Sequence, residues 1–258
     1  MLDVKNLSVV LSKRRVLHAL NFTVRDDEVI GLLGPNGAGK STLMRALAGQ
    51  YPIEGAIKLD EHDLPSLSTA ERARNLAYLP QTRIIGWPMR VRDVVALGRL
   101  PWRALGQRSS EADAAAVEHA LDLMDVAHLA DRTATELSGG EQARVLAARA
   151  VAQDTRLLIA DEPASGLDPA HQIMMMEALR RIARKGRMVF VSLHDLTLAA
   201  RWCDRVIMLK DGEIAGDGSP GLMMQPQRLA HVFGVRAHFA LDTEGLILAP
   251  TGLIQSNS

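Results

Sequence analysis

Three short stretches of this chain hold residue types at spacings that could do chemistry. The first is Gly34-Pro35-Asn36-Gly37-Ala38-Gly39-Lys40-Ser41-Thr42. Glycine, four residues, then Gly-Lys-Ser is the spacing of a phosphate-binding loop. Without Cβ atoms the backbone can come close to a ligand, and its N–H groups can converge on phosphate oxygens. Lys40 would then reach the β- and γ-phosphates, and the Ser41 hydroxyl would be one ligand of Mg²⁺. The second stretch is Leu157-Leu158-Ile159-Ala160-Asp161-Glu162, an apolar run ending in two acids. At the C-terminal end of a strand, where α/β sheets place their ligands, Asp161 would hold Mg²⁺ and Glu162 would orient and deprotonate an attacking water. The third is Ser138-Gly139-Gly140-Glu141, in which serine precedes glutamate by three, the pattern of a helix capping box.

These groups need a scaffold, and the sequence supplies one. Val29-Ile30-Gly31-Leu32-Leu33 is an apolar run of buried-strand length directly before the loop, and 41–49 is helical and stops at Gly49. Residues 2–9 and 21–24 read as strands joined through a polar turn at 12–15, and Ala56–Leu59 and Tyr78–Gln81 as short strands. Val91, Val94 and Val95 share a helical face that Gly98 closes. Residues 110–129 are helical, with Ser110 and Asp113 as a capping pair. The alanine-rich stretch after Ser138 continues to Val151. Beyond it, Leu157–Ala160, Met188–Val191 and Arg205–Leu209 alternate with helical segments at 171–185 and 196–202, which implies a parallel sheet covered on both faces. The fold class is therefore α/β. The expected organisation is a discontinuous core of 1–86 and 152–225, a helical insertion at 87–151, and a small appendage at 226–258 whose last residues, 251–258, form a loose tail.

Composition narrows the function. Of 258 residues, 30 are Lys or Arg and 30 are Asp or Glu, giving net charge zero. A dedicated nucleic-acid binder would carry a basic excess, so no nucleic acid is expected as partner. The one cysteine, Cys203, suits a reducing compartment and a small core position. No basic start followed by an apolar run suggests a secretory leader, and no apolar stretch is long enough to span a membrane.

The order of Gly34–Thr42, Gln81, Leu137-Ser138-Gly139-Gly140-Glu141-Gln142, Asp161-Glu162, Ser165-Gly166-Leu167-Asp168 and His194 resembles that of the ATP-binding-cassette ATPases, over about residues 2 to 215. The resemblance implies a P-loop NTPase core with an N-terminal antiparallel β subdomain and an inserted helical subdomain. It implies ATP and Mg²⁺ as cofactors, and a head-to-tail homodimer in which each ATP lies between one chain's phosphate loop and the other's LSGGE helix. A capped helix start bearing Gly139 and Gly140 suits that role, because it offers N–H donors and a positive dipole end. By the same resemblance Gln81 contacts Mg²⁺ and the attacking water, His194 hydrogen-bonds the γ-phosphate, and Asp168 lies at the dimer interface. Taken alone, a histidine ending a strand is usually structural. Two departures stand out. Leu11 falls where the family has an aromatic residue to stack on adenine, a contact for which Arg14 or Arg15 could substitute, and Ala143 falls where glutamine is usual.

Val91-Arg92-Asp93-Val94-Val95-Ala96-Leu97-Gly98-Arg99-Leu100-Pro101 is similar to the branch that takes up iron chelates, haem and cobalamin, as is Leu229–Val235. The resemblance thus implies a peripheral subunit on the cytoplasmic face of the inner membrane. Its partners would be a permease dimer, docked through about residues 82–103 (Arg83, Trp87, Met89 and Arg90 among them), and indirectly an extracytoplasmic binding protein. The alternatives are a soluble cassette ATPase acting on nucleic acid or ribosomes, an importer ATPase for a metal ion or oxyanion, and an ATP-binding regulator that does not hydrolyse.

Overall fold

The computed structural model describes residues 1–254 except Arg83, Leu105 and Glu244. Along the chain run β1 (Leu2–Leu11), β2 (Arg14–Val24), β3 (Val29–Leu33), α1 (Lys40–Leu47), β4 (Glu54–Leu59) and β5 (His62–Asp63). They are followed by α2 (Thr69–Asn75), β6 (Leu76–Leu79), α3 (Val91–Ala96), α4 (Glu111–Leu123), α5 (Gly139–Ala152), β7 (Leu157–Asp161) and α6 (Pro169–Ala183). Then come β8 (Met188–Ser192), α7 (Leu196–Trp202), β9 (Arg205–Lys210), β10 (Glu213–Gly218), α8 (Pro220–Met223), α9 (Pro226–Phe233), β11 (Val235–Asp242) and β12 (Gly245–Leu253). None of the helices is long and apolar enough to cross a membrane, among the described residues. Two compact units emerge: Met1–Pro65 with Phe190 onward, and Ser66–Val189.

In the first unit an antiparallel sheet runs β2-β1-β4-β5. Its hairpin is tighter than the sequence suggested. Ser12 and Lys13 both take left-handed φ, 47° and 65°, and β2 begins at once with Arg14. Two left-handed residues in a two-residue loop match the right-handed twist of the strands. Beside this sheet β3 runs parallel to β9, with β10 antiparallel on the outer edge. All five residues of β3 are buried, as are those of β7 and β8, which is why these strands read as unbroken apolar runs. The C-terminal hairpin β11–β12 takes in Thr251, Gly252 and Leu253, with Ile254 N–H donating to Gly234 O at 2.8 Å. The loose tail expected from Thr251 is a strand to that point, and residues 255–258 lie outside the described residues.

In the second unit β6 pairs in parallel with β7, and the helices α2 to α6 surround them in sequence. Helix α2 is not among the elements expected from the sequence, although Ser68 and Glu71 form the same capping box as Ser138 and Glu141. Gly98 does not end α3. The chain continues as a 3₁₀ turn over Leu97–Trp102, and glycine is needed there because a Cβ would lie 2.2 Å from Arg149 O.

That turn is pinned by a buried ion pair. Arg99 Nε donates to Asp113 Oδ1 at 2.9 Å and its Nη1 to Ala152 O at 2.9 Å, while Arg103 Nε and the Ser110 N–H reach Asp113 Oδ2 at 3.1 Å each. Trp102 lies under the Arg99 guanidinium, 5.4 Å from it, and donates its indole N–H to Gln153 O at 2.7 Å. Burial raises the Asp113 carboxyl, but Arg99, Ser110 and Arg103 together outweigh it and hold the group well below the usual carboxylate range. Asp113→Ala would leave Arg99 buried without its partner, at a cost of about 3 kcal/mol, the low end for such pairs because Arg103 reaches solvent. Denaturant midpoints should show the loss. A carboxyl depressed in the folded state stabilises above its unfolded value and loses that contribution as the pH falls. The gap between wild type and variant should therefore be full above about pH 5 and shrink below about pH 4.

Candidate active site

Each unit carries a share of the residues singled out by the sequence. In the first, β3 delivers the chain into the glycine loop. Gly34 has φ +157° and a Cβ there would meet Leu209 O at 2.2 Å, so no other residue fits. Gly37, at φ +81°, has open space where its Cβ would be, so conformation rather than packing demands glycine there. Ala38 N–H closes the turn on Pro35 O at 3.2 Å, and Gly39 N-caps α1 in the left-handed region at φ 103°. Lys40 opens α1 and is only 6% exposed. Its ammonium folds back onto the loop, donating to Gly34 O at 2.6 Å and Pro35 O at 3.2 Å. Ser41 and Thr42 follow in the first turn, where no acidic side chain competes for the positive helix end.

His194 lies in the same unit, exposed, two residues beyond β8. Asp195 caps α7 by accepting from Thr197 N–H at 2.7 Å and Leu198 N–H at 2.9 Å, which fixes the chain just after the histidine. A cavity of about 340 Å³ opens beside it, lined by His194, Thr197, Phe233, Val235, Leu248 and Pro250 among others. Leu11 ends β1 opposite Arg14, and Arg15 is engaged with Glu54 at 2.8 Å.

In the second unit Asp161 ends β7 and is 1% exposed, with Glu162 next at 6%. Glu162 takes φ 52°, a left-handed conformation uncommon outside glycine and asparagine. Backbone in such a region is held at functional sites by its surroundings; here the Glu162 carbonyl accepts from Ser165 N–H at 3.1 Å. Gln81 Nε2 donates to Glu162 Oε2 at 2.6 Å. Both were expected at the attacking water, but a direct bond between residues 81 positions apart is not legible in the chain. It holds the carboxylate through the amide nitrogen and leaves the Gln81 carbonyl oxygen for another partner.

Ser138 caps α5 as expected, accepting from Glu141 N–H at 3.3 Å while Glu141 Oε2 takes the Ser138 N–H at 2.8 Å. The Ser138 N–H and hydroxyl hold the Glu141 carboxyl below its ordinary value. Gly139 has no atom within 4 Å of where a Cβ would be, and Gly140 meets only Leu167, at an ordinary 3.6 Å. Neither glycine is required by the chain's own packing, though glycine in a helix costs about 1 kcal/mol relative to alanine. Leu167 belongs to the turn that ends at Asp168, which N-caps α6 by accepting from His171 N–H at 3.1 Å. The Leu137–Gln142 and Ser165–Asp168 segments therefore adjoin.

The family model described as ABC transporter matches residues 17–165. The chain belongs to the ABC transporter family. It is accordingly an ATP-binding, ATP-hydrolysing cassette of the P-loop NTPase fold, coupled to transport. Among its relatives is the hemin import ATP-binding protein HmuV of Pseudomonas fluorescens, 44% identical over 241 residues that cover 91% of this chain and 93% of that protein. Another is HmuV of Nocardia farcinica, 45% identical over 221 residues, covering 85% and 76%. Among solved structures, an inward-facing metal-chelate type ABC transporter superposes with TM-score 0.83 at 25% identity, covering 97% of each chain. The dimeric cassette MJ0796 in a post-hydrolysis state with ADP and Pi matches with TM-score 0.74 at 26% identity, covering 85% of this cassette and 99% of its own.

Proposed function

We propose that this cassette is the ATP-hydrolysing subunit of a bacterial importer for haem, working as a head-to-tail pair beneath a separate membrane permease. The observation that carries this reading is the near-full-length likeness, 44% identity over 91% of the chain, to hemin import ATP-binding proteins. The motif at Val91–Pro101 supports the same branch, which also handles ferric siderophores and cobalamin. Two working sites per pair follow from every motif being intact in one chain.

In this reading Gly34–Thr42 cradles the triphosphate and Lys40 turns from its own loop carbonyls to the phosphates. Ser138, Gly139 and Gly140 of the opposing copy face the terminal phosphate. The two glycines whose Cβ positions are free of backbone support such close approach. Glu162, aligned by Gln81, takes the proton from the attacking water; His194 donates to the γ-phosphate; Asp168 meets the opposing copy. The oxygens of Ser41, Asp161 and the Gln81 side chain suit Mg²⁺, which retains waters and takes one carboxylate beside substrate phosphates. When bound, Mg²⁺ supplies positive charge to the β- and γ-phosphate oxygens. With Arg15 engaged on Glu54, Arg14 is the guanidinium left to stack on adenine in place of the missing aromatic residue.

The permease would dock on residues 82–103, where Ile84 is 79% and Trp87 75% exposed and Leu100 and Trp102 add further apolar surface. Arg90 is held by Asp93 at 2.9 Å, Met89 is half-buried with its carbonyl accepting from Ala134 N–H at 2.8 Å, and Arg83 lies outside the described residues. A membrane location at the cytoplasmic face follows from that docking alone. The test is ATP-driven haem accumulation in proteoliposomes carrying the permease. Trp87→Ala is expected to weaken cassette–permease association about thirtyfold, as for an interface aromatic worth 2 kcal/mol. Uptake of a different chelate but not haem would move the substrate. Copurification with ribosomes or nucleic acid, and with no membrane subunit, would overturn the importer reading.

A further inference from the structure

At the start of α5 a single carboxylate oxygen takes both donors of Ser138. Glu141 Oε2 lies 2.8 Å from the Ser138 hydroxyl and 2.8 Å from its N–H. The hydroxyl in turn accepts from Glu141 N–H at 3.3 Å. This carboxylate lies at the positive end of a 14-residue helix, the place where any anion is stabilised. Arg132 and Arg144 add favourable charge around it. Above the first turn the chain leaves open space, because nothing beyond the neighbouring residues and backbone of the helix itself comes within 4 Å of the missing Gly139 Cβ. The helix end thus carries its own anion, bonded to the hydroxyl that a terminal phosphate would need.

We propose that the Glu141 carboxylate is a resident competitor of the terminal phosphate of ATP, holding the Ser138 hydroxyl until a phosphate draws it away, and so setting the ATP threshold for pairing of two cassettes. This rests on the reading that Ser138 faces the terminal phosphate bound by the opposing copy. When the hydroxyl turns to phosphate, Glu141 keeps its bond from the Ser138 N–H, so the helix stays capped. The carboxylate remains beside the phosphate, and two like unit charges about 5 Å apart repel by a factor of about four in the binding constant even at the dielectric of bulk water, and by more as water is excluded.

Glu141→Gln separates the two roles, because glutamine serves equally in a capping box and carries no charge. In a hydrolysis-blocked Glu162→Gln background, pairing followed by analytical ultracentrifugation should need at least about fourfold less ATP once Glu141 is glutamine. ADP affinity should stay within about twofold, since ADP lacks the γ-phosphate that would compete with Glu141 for the Ser138 hydroxyl. Glu141→Ala, as a second charge-removing variant, should also ease ATP-driven pairing while lowering the melting temperature. A residue acting only as a cap would leave the ratio of ATP to ADP response unchanged, and that result would overturn the proposal. Ser138→Ala tests the underlying reading. If it leaves ATP-driven pairing intact, the placement of Ser138 at the phosphate fails. If it weakens pairing while Glu141→Gln changes nothing, only the competition fails.

Discussion

Glu162→Gln is expected to bind Mg-ATP as tightly as wild type and to hydrolyse it about 10²- to 10⁴-fold more slowly, the range for loss of a general base. The geometry makes this substitution selective. Glu162 is 6% exposed at the end of a fully buried strand, and its carboxylate is fixed by Gln81 at 2.6 Å. Glutamine keeps the shape and can still accept from the Gln81 amide, so the local backbone at φ 52° has no new reason to move. Only the ability to take a proton goes. Single-turnover phosphate release, beside equilibrium binding of a labelled nucleotide, separates chemistry from affinity. A variant that released phosphate within threefold of wild type would place the base elsewhere and leave Glu162 a structural role, its bond to Gln81 included.

What could be read from the sequence followed local physics. The buried strands β3, β7 and β8 announced themselves because parallel strands covered on both faces need no polar alternation. The caps at Ser110 and Ser138 were visible because capping chemistry is complete within four residues. The signal at Ser68–Glu71 is equally complete, but α2 buries none of its residues and so has no apolar stripe to support it. Long-range pairings were not legible. Nothing in the types of Gln81 and Glu162, or of Arg99 and Asp113, says that they meet. Gly98 resembles a helix stop because glycine often ends helices, whereas its place is set by the carbonyl of Arg149 pressing on it. The strand at Thr251–Leu253 is likewise set at long range, because only its register against Val235 and Arg236 makes it a strand.

Lys40→Met is expected to lower ATP affinity by about a hundredfold or more, as when one member of a buried charged pair is removed, while the nucleotide-free fold changes little. Lys40 is 6% exposed, and its ammonium bonds to the carbonyls of Gly34 and Pro35. The ammonium is charged in both cases, but those carbonyl acceptors are neutral whereas a phosphate oxygen is itself charged, so the exchange adds a direct attraction between opposite charges. The lysine therefore gains by exchanging its loop carbonyls for a triphosphate, and that gain is available only with nucleotide present. Methionine preserves the unbranched stem and a good helix propensity at the first position of α1. It also removes a buried charge, which offsets part of the cost of leaving two carbonyls without that donor. The distinguishing measurement is the nucleotide-dependent rise in stability. At an ATP concentration one hundred times the wild-type dissociation constant, ligand linkage adds about 2.7 kcal/mol to wild type, and only about 0.4 kcal/mol to a variant bound a hundredfold more weakly. An equal rise in both proteins would mean that Lys40 stays on Gly34 and Pro35 when ATP binds and serves only to brace the loop.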